Sequence, residues 1–258
     1  MTIAGFDPGS GAGITADLLT FASLGVFATS AITALTVQST CGVRRVELVA
    51  ADLLRETLAE LESDMPPDGV KLGMLGGQAQ VSVVVDYLRA ARKAREITVV
   101  LDPVILSSSG TALLDEGGFA VLESELLPLV DVVTPNLREA ALLARMPCST
   151  PEEVEMCARA LRARVPTLTP VITGGHLDRA RDLVLVRDEA VWLDGDHIHS
   201  RSTHGTGCAF SSALLAARLR GEDWTHAALR AKEFVRGAIR AAVPRGNGTG
   251  PMHLLFHS

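Results

Sequence analysis

Residues 78–104 read Q-A-Q-V-S-V-V-V-D-Y-L-R-A-A-R-K-A-R-E-I-T-V-V-L-D-P-V. The first part, Gln78–Arg95, has the pattern of a long helix, basic at its C-terminal end as the helix dipole favours. The second part, Thr98–Leu101, is a short apolar strand that stops at Asp102-Pro103. A helix feeding a continuously apolar strand is one unit of a parallel sheet buried on both faces. The unit repeats along the chain. Met1–Ala4, Ala28–Val37, Gly69–Gly73, Asp131–Thr134 and Pro170–Thr173 read as strands. Gly13–Leu24, Asp52–Leu61, Leu137–Arg145, Glu152–Arg164, Thr206–Arg220 and Thr225–Val243 read as helices. Leu183–Arg187 and Ala190–Leu193, separated by Asp188-Glu189, read as an antiparallel hairpin. With no linker, repeat or low-complexity run, residues 1–258 are expected to form a single α/β domain.

Composition removes several function classes. The 258 residues are 47% apolar and 21% charged, which is ordinary for a globular chain and excludes disorder. A formal charge of −6 gives no basic excess for binding nucleic acid. Leu18–Val43 lacks charge, but its threonines and serines and Gly25 fit a buried helix and strand better than a membrane span. Cys41, Cys148, Cys157 and Cys208 have no C-x-x-C spacing, so neither zinc nor a disulfide framework is indicated. Such thiols fit a reduced, cytoplasmic protein.

Ligands of parallel sheets bind beyond the carboxyl ends of the strands. Two glycine-rich segments fall at such ends. His204-Gly205-Thr206-Gly207-Cys208 precedes an alanine-rich helix, whose N-terminus with two flexible glycines could form an anion hole for a transferring phosphoryl group. The alternative is a glycine turn before a core helix. Asp7-Pro8-Gly9-Ser10-Gly11-Ala12-Gly13 matches neither the Walker loop nor the dinucleotide fingerprint, and is either a ligand-approach loop or a tight connection. Asp102 and Glu139 are candidate carboxylates for magnesium, or else a turn residue and a helix residue. Gly174-Gly175-His176 is a turn or a nucleotide-side loop. His197-x-His199 lacks a third ligand at metal spacing.

Taken together, these residues resemble the hydroxymethylpyrimidine/phosphomethylpyrimidine kinases of the ribokinase-like superfamily. The resemblance runs in order through I-A-G-F-D-P-G-S-G-A-G at 3–13, A-I-T-A-L-T-V-Q-S-T-C-G-V at 31–43 and K-L-G-M-L at 71–75. It continues through V-L-D-P-V at 100–104, T-P-N-L-R-E-A at 134–140, G-G-H at 174–176, H-G-T-G-C at 204–208 and G-N-G-T-G-P-M-H at 246–253. It implies a three-layer αβα sandwich with a mostly parallel sheet. It also implies ATP- and Mg2+-dependent phosphorylation of 4-amino-5-hydroxymethyl-2-methylpyrimidine, then of its monophosphate, in a homodimer. The rivals are a pyridoxal-type vitamin kinase and a non-catalytic pyrimidine-binding protein.

The resemblance also assigns residues. Gln38 would hydrogen-bond the pyrimidine edge, with Ala12, Asp17, Met74 and Val104 lining its pocket. Gly205, Thr206 and Gly207 would form the anion hole. Asp102 and Glu139 would serve magnesium, and Asn136 the nucleotide phosphates. Thr173 stands where the family usually has a phosphate-facing lysine, and Lys232 is expected to take over that role. Cys208, at a helix N-terminus, is expected to have a lowered pKa and to act as base in the first phosphorylation. The loop reads P-G-S-G at 8–11 rather than the commoner P-S-G-G.

Overall fold

A computed structural model describes residues 1–107, 110–175, 177 and 179–256. One nine-stranded sheet organises the chain. Its strands are β1 (Thr2–Phe6), β2 (Ser30–Ser39), β3 (Gly42–Leu48), β4 (Gly69–Leu72), β5 (Thr98–Leu101), β6 (Val132–Val133), β7 (Thr169–Ile172), β8 (Asp182–Val186) and β9 (Glu189–Leu193). The order across the sheet is β3-β2-β1-β4-β5-β6-β7-β8-β9. The six strands from β2 to β7 are parallel, while β3, β8 and β9 add antiparallel edges.

The helices are α1 (Gly13–Ser23), α2 (Ala51–Asp64), α3 (Gln78–Ala94), α4 (Glu116–Val121), α5 (Leu137–Ala144), α6 (Pro151–Arg164), α7 (Thr206–Leu219) and α8 (Trp224–Arg240). Strand alternation sorts the core into two layers. Val99 and Leu101 pack with Leu54, Leu58, Val84 and Leu88 of α2 and α3. Val100, between them, packs with Phe21, Phe210, Leu214 and Phe234 of α1, α7 and α8. Ile172, Leu183 and Leu185 join α5 and α6. Each large apolar side chain fully buried this way contributes about 1.5–3 kcal/mol. The layers are those of the αβα sandwich. Among the described residues, no helix is long and apolar enough to cross a membrane.

The structure departs from the sequence reading in four places, the first being α4, where no helix is read. β2 runs on to Ser39, so Gln38 lies within a strand. β3 is an additional strand, whose exposed Arg44, Arg45, Glu47 and Leu48 mark an edge that packs little. The β8–β9 hairpin turns at Arg187-Asp188, one residue earlier than read, with Arg187 at φ 54°.

Candidate active site

The two glycine loops meet at the carboxyl end of β1. A Cβ on Gly11 would lie 2.3 Å from Cδ2 of His204, and one on Gly205 would lie 1.8 Å from the Gly11 carbonyl oxygen. Gly205 also has φ 81°, so glycine is required there on both counts. Gly205 is the N-cap of α7, and no side chain caps that helix. Its first-turn amides therefore remain available to an anion, as the anion-hole reading requires.

Asp7 organises the first loop. Its Oδ1 accepts from the Gly9 amide at 2.8 Å, and Oδ2 from the Ala12 amide at 3.0 Å. Oδ2 also lies 2.8 Å from Nε2 of His204. Burial pushes the Asp7 pKa up, but the His204 bond, the Gly9 and Ala12 amides and the His204 charge bring it below its ordinary value. The same His204 nitrogen lies 3.1 Å from Gln38 Nε2. Thr36 Oγ1 lies 3.2 Å from Gln38 Oε1 and 2.9 Å from the Phe6 carbonyl oxygen. The C-terminal segment straps this corner. His204 N–H donates to Gly250 O at 3.0 Å, and Thr249 N–H to Thr40 O at 3.0 Å, at the end of the β2–β3 hairpin.

Met74 is buried against Ala34 and Leu113, with Val46 and Val104 beside it, forming an apolar wall. Val104 has φ 31°, a strained conformation for a β-branched residue. Ala12 is the half-buried N-cap of α1. Asp17 does not line this space, which corrects the expectation for it. Its side chain is fully buried, accepting from Thr2 Oγ1 at 2.6 Å, Lys71 Nζ at 2.9 Å and Ser212 Oγ at 2.9 Å. A carboxylate saturated inside the protein has no face left for substrate.

Asp102 lies where β5 ends, and a Cβ on Gly207 would be 3.4 Å from its Oδ2. Burial pushes its pKa up, while Lys71 pulls it back. Glu139 is also pushed up, by burial and then by the charge of Asp102. Its oxygens accept the Ile105 amide at 3.3 Å and the Asn136 amide at 3.0 Å. Asn136 closes a capping box, its Oδ1 accepting from the amides of Arg138 and Glu139 at 3.0 and 3.1 Å. The Asn136 side chain also hydrogen-bonds the Glu139 carboxyl, which opposes the upward shift there. Two buried carboxyls, both pushed up by burial and one of them by the charge of the other, suit a divalent cation, which favours their ionised forms.

Two further expectations are corrected. Lys232 is tied to Asp182 Oδ2 at 2.9 Å and to the Ala180 carbonyl oxygen at 2.8 Å. Asp182 Oδ1 in turn accepts from the Gly174 amide at 2.9 Å. Lys232 thus anchors the Gly174 loop and does not substitute for a lysine at Thr173, whose Oγ1 lies 3.4 Å from Pro135 O. The other correction is Cys208. Burial, reinforced by Asp102 and Asp17, pushes its thiol up to about 12, although Lys71 and the Gly13 amide oppose the shift. It is a neutral thiol beside Asp102, not a thiolate base. His176 lies outside the described residues. Sequence reasoning assigned no role to Asp7, His204 or Lys71. The first two open the two glycine loops, and Lys71 is a lone charge in the apolar strand G-V-K-L.

A family model described as phosphomethylpyrimidine kinase matches residues 7–253. The hydroxymethylpyrimidine/phosphomethylpyrimidine kinase of Rhizobium meliloti is 40% identical, over 98% of this chain and 95% of that protein. An ADP complex of Bacillus subtilis pyridoxal kinase is similar in structure, with a TM-score of 0.86 at 31% identity, over 97% of this chain and 95% of that one. The phosphomethylpyrimidine kinase of Clostridium difficile has a TM-score of 0.80 at 30% identity, over 92% and 97%. With the sandwich and the paired glycine loops, these matches establish that the chain belongs to the phosphomethylpyrimidine kinase family, as a phosphotransferase of ribokinase-like fold.

Proposed function

We propose that the chain, as one kinase domain, transfers the γ-phosphoryl group of ATP to 4-amino-5-hydroxymethyl-2-methylpyrimidine. The same site then phosphorylates the monophosphate to the diphosphate, in thiamine biosynthesis. The observation that carries this reading is the meeting of the two glycine loops beside Gln38, in a chain of this family. Gln38 supplies a donor and an acceptor to the pyrimidine edge. Met74 and Val104 supply an apolar wall, and Ala12 a small contact at the start of α1. The amides of Gly205, Thr206 and Gly207 receive the phosphoryl group in transfer. Asn136 reaches the nucleotide phosphates.

Asp102 and Glu139 would hold Mg2+, partly through waters, as a magnesium site with only two protein carboxylates does. When bound, the ion would supply charge neutralisation for the transferring phosphoryl group. With Cys208 neutral, the alcohol keeps its proton until the new O–P bond is largely formed and then gives it to an oxygen of the transferred phosphoryl group, as a loose phosphoryl-transfer transition state permits.

A homodimer fits the apolar side chains exposed on β2 and β3, where Leu35, Val37 and Leu48 are 49%, 54% and 42% exposed. The cytoplasm fits four free thiols. The similarity to a pyridoxal kinase favours pyridoxal as the second substrate to test. Purified protein with ATP and Mg2+ is offered the pyrimidine alcohol or pyridoxal, and the products are read by mass spectrometry. Mono- and diphosphate of the pyrimidine support the reading. Phosphorylation of pyridoxal alone would replace it, and binding without ADP release would make this a non-catalytic pyrimidine binder.

A further inference from the structure

Hydrogen counting around His204 determines which way Gln38 faces. Asp7 Oδ2, 2.8 Å from His204 Nε2, can only accept, so that nitrogen carries a proton. An amide NH2 cannot donate to a nitrogen that is itself donating. Gln38 therefore turns its oxygen to His204, exchanging the two atoms of its carboxamide. Its nitrogen then faces Thr36 Oγ1. The single hydroxyl proton of Thr36 is already directed to the Phe6 carbonyl oxygen at 2.9 Å, so Thr36 accepts from Gln38. The single Nε2 proton of His204 is then shared between Asp7 Oδ2 at 2.8 Å and the more distant Gln38 oxygen, and the Gln38 N–H facing Thr36 meets an acceptor. The opposite orientation leaves His204 facing a second donor.

In this state the carboxamide has one lone pair committed to His204 and one N–H committed to Thr36. One acceptor and one donor remain, in a fixed order, for a ligand. A 4-aminopyrimidine presents an N–H and a ring nitrogen side by side. A 4-oxopyrimidine presents the inverse, a carbonyl oxygen and a ring N–H. An amide free to rotate serves both; a locked amide serves one.

We propose that Asp7 and His204 are specificity-determining positioning residues, which lock the Gln38 carboxamide so that the site accepts the 4-amino edge of the pyrimidine and rejects the 4-oxo edge. This rests on the pyrimidine reading of the site. His204 is well placed for the task, because its own backbone is fixed by Gly250 and its ring is only 19% exposed.

The test compares kcat/KM for the 4-amino alcohol and its 4-oxo analogue in the wild type, His204→Ala, His204→Gln and Asp7→Asn. The wild type should prefer the 4-amino alcohol by about tenfold or more, since a mismatched edge leaves buried polar groups unpaired. His204→Ala should raise the KM for the 4-amino alcohol by about tenfold, leave the KM for ATP unchanged, and shrink the preference. His204→Gln, whose amide N–H reaches the same place, should recover part of it. Asp7→Asn lets His204 Nε2 become an acceptor, which turns Gln38 around and should move the preference toward the 4-oxo analogue. Melting curves identify any variant that fails to fold, and the remaining variants then decide. A wild type active on the 4-amino alcohol, with folded variants that keep its full preference, overturns the lock alone. A wild type inactive on that alcohol overturns the pyrimidine reading, and the lock with it.

Discussion

Lys71 and Asp17 form an ion pair 2.9 Å long with neither side chain exposed to solvent. Burial alone would lower the Lys71 pKa, but the Asp17 and Asp102 carboxylates outweigh it, so the ammonium stays charged. Removing one partner of a buried pair leaves an uncompensated charge, at about 3–5 kcal/mol. Lys71→Met should therefore lower the urea midpoint sharply. Asp17→Asn should cost less, because Thr2 and Ser212 can still bond the amide. Equal midpoints for the wild type and Lys71→Met would refute a structural role.

A neutral Cys208 makes a chemical prediction. Thiol alkylation needs the thiolate. Iodoacetamide near neutral pH should modify exposed Cys41 first and leave Cys208 largely unmodified, as peptide mapping would report. Rapid labelling of Cys208 in the folded protein would restore the base assignment.

Ser10 sits at φ 57°, in the left-handed region. The commoner P-S-G-G order places glycine at this position, so the transposed loop carries a strained serine. Left-handed backbone costs a non-glycine residue roughly 1–2 kcal/mol, partly offset because glycine loses more entropy on folding. Ser10→Gly should raise the melting temperature by about 2–4 °C. The reverse change is tight at its neighbour: a Cβ on Gly9 would lie 3.1 Å from Asp7 Oδ1, which would have to give by a few tenths of an ångström. A lower melting temperature for Ser10→Gly would count against strain at this position.

Asp7 links the loop to pH. Its folded pKa lies below the ordinary value, so its contribution is complete at neutral pH and is lost as pH falls through the folded value. The stability gap between the wild type and Asp7→Asn, from urea midpoints, should narrow as pH falls through the ordinary aspartate pKa and on through the lower folded value. A gap that is constant with pH would place the effect of the substitution elsewhere.

Lys232→Met should destabilise the chain by leaving Asp182 and its bond to Gly174 without a cation. Adding Thr173→Lys should not restore the melting temperature, because position 173 bonds Pro135 and not Asp182. Full thermal rescue by the double variant would show that the two positions are interchangeable after all.

The layers of the fold were legible in the sequence because burial on both faces turns strands such as Thr98–Leu101 into apolar runs. β3 escaped because an edge strand packs little, and its Arg44, Arg45 and Glu47 read as loop. Glycine loops and strand-end acids were legible as types, since an anion site needs small residues before a helix. Partners were not. Asp17 and Lys71 find each other across 54 residues, and that contact removes Asp17 from the pocket. Cys208 reads as an activated thiol from its helix position alone, but Asp102 and Asp17, which raise it, arrive from β5 and α1.

The strap from Thr249 and Gly250 to Thr40 and His204 bears on how the protein is made. His204 meets Asp7 across 197 residues, and the segment that holds the His204 backbone lies nearer still to the C-terminus. Synthesis runs from the other end, so β1 and its glycine loop leave the ribosome long before their partners. A nascent chain can assemble sheet and helices while this corner stays open, and contacts of such long range form slowly. Substrate therefore cannot stabilise the chain during translation. It becomes a folding ligand only after the tail has docked.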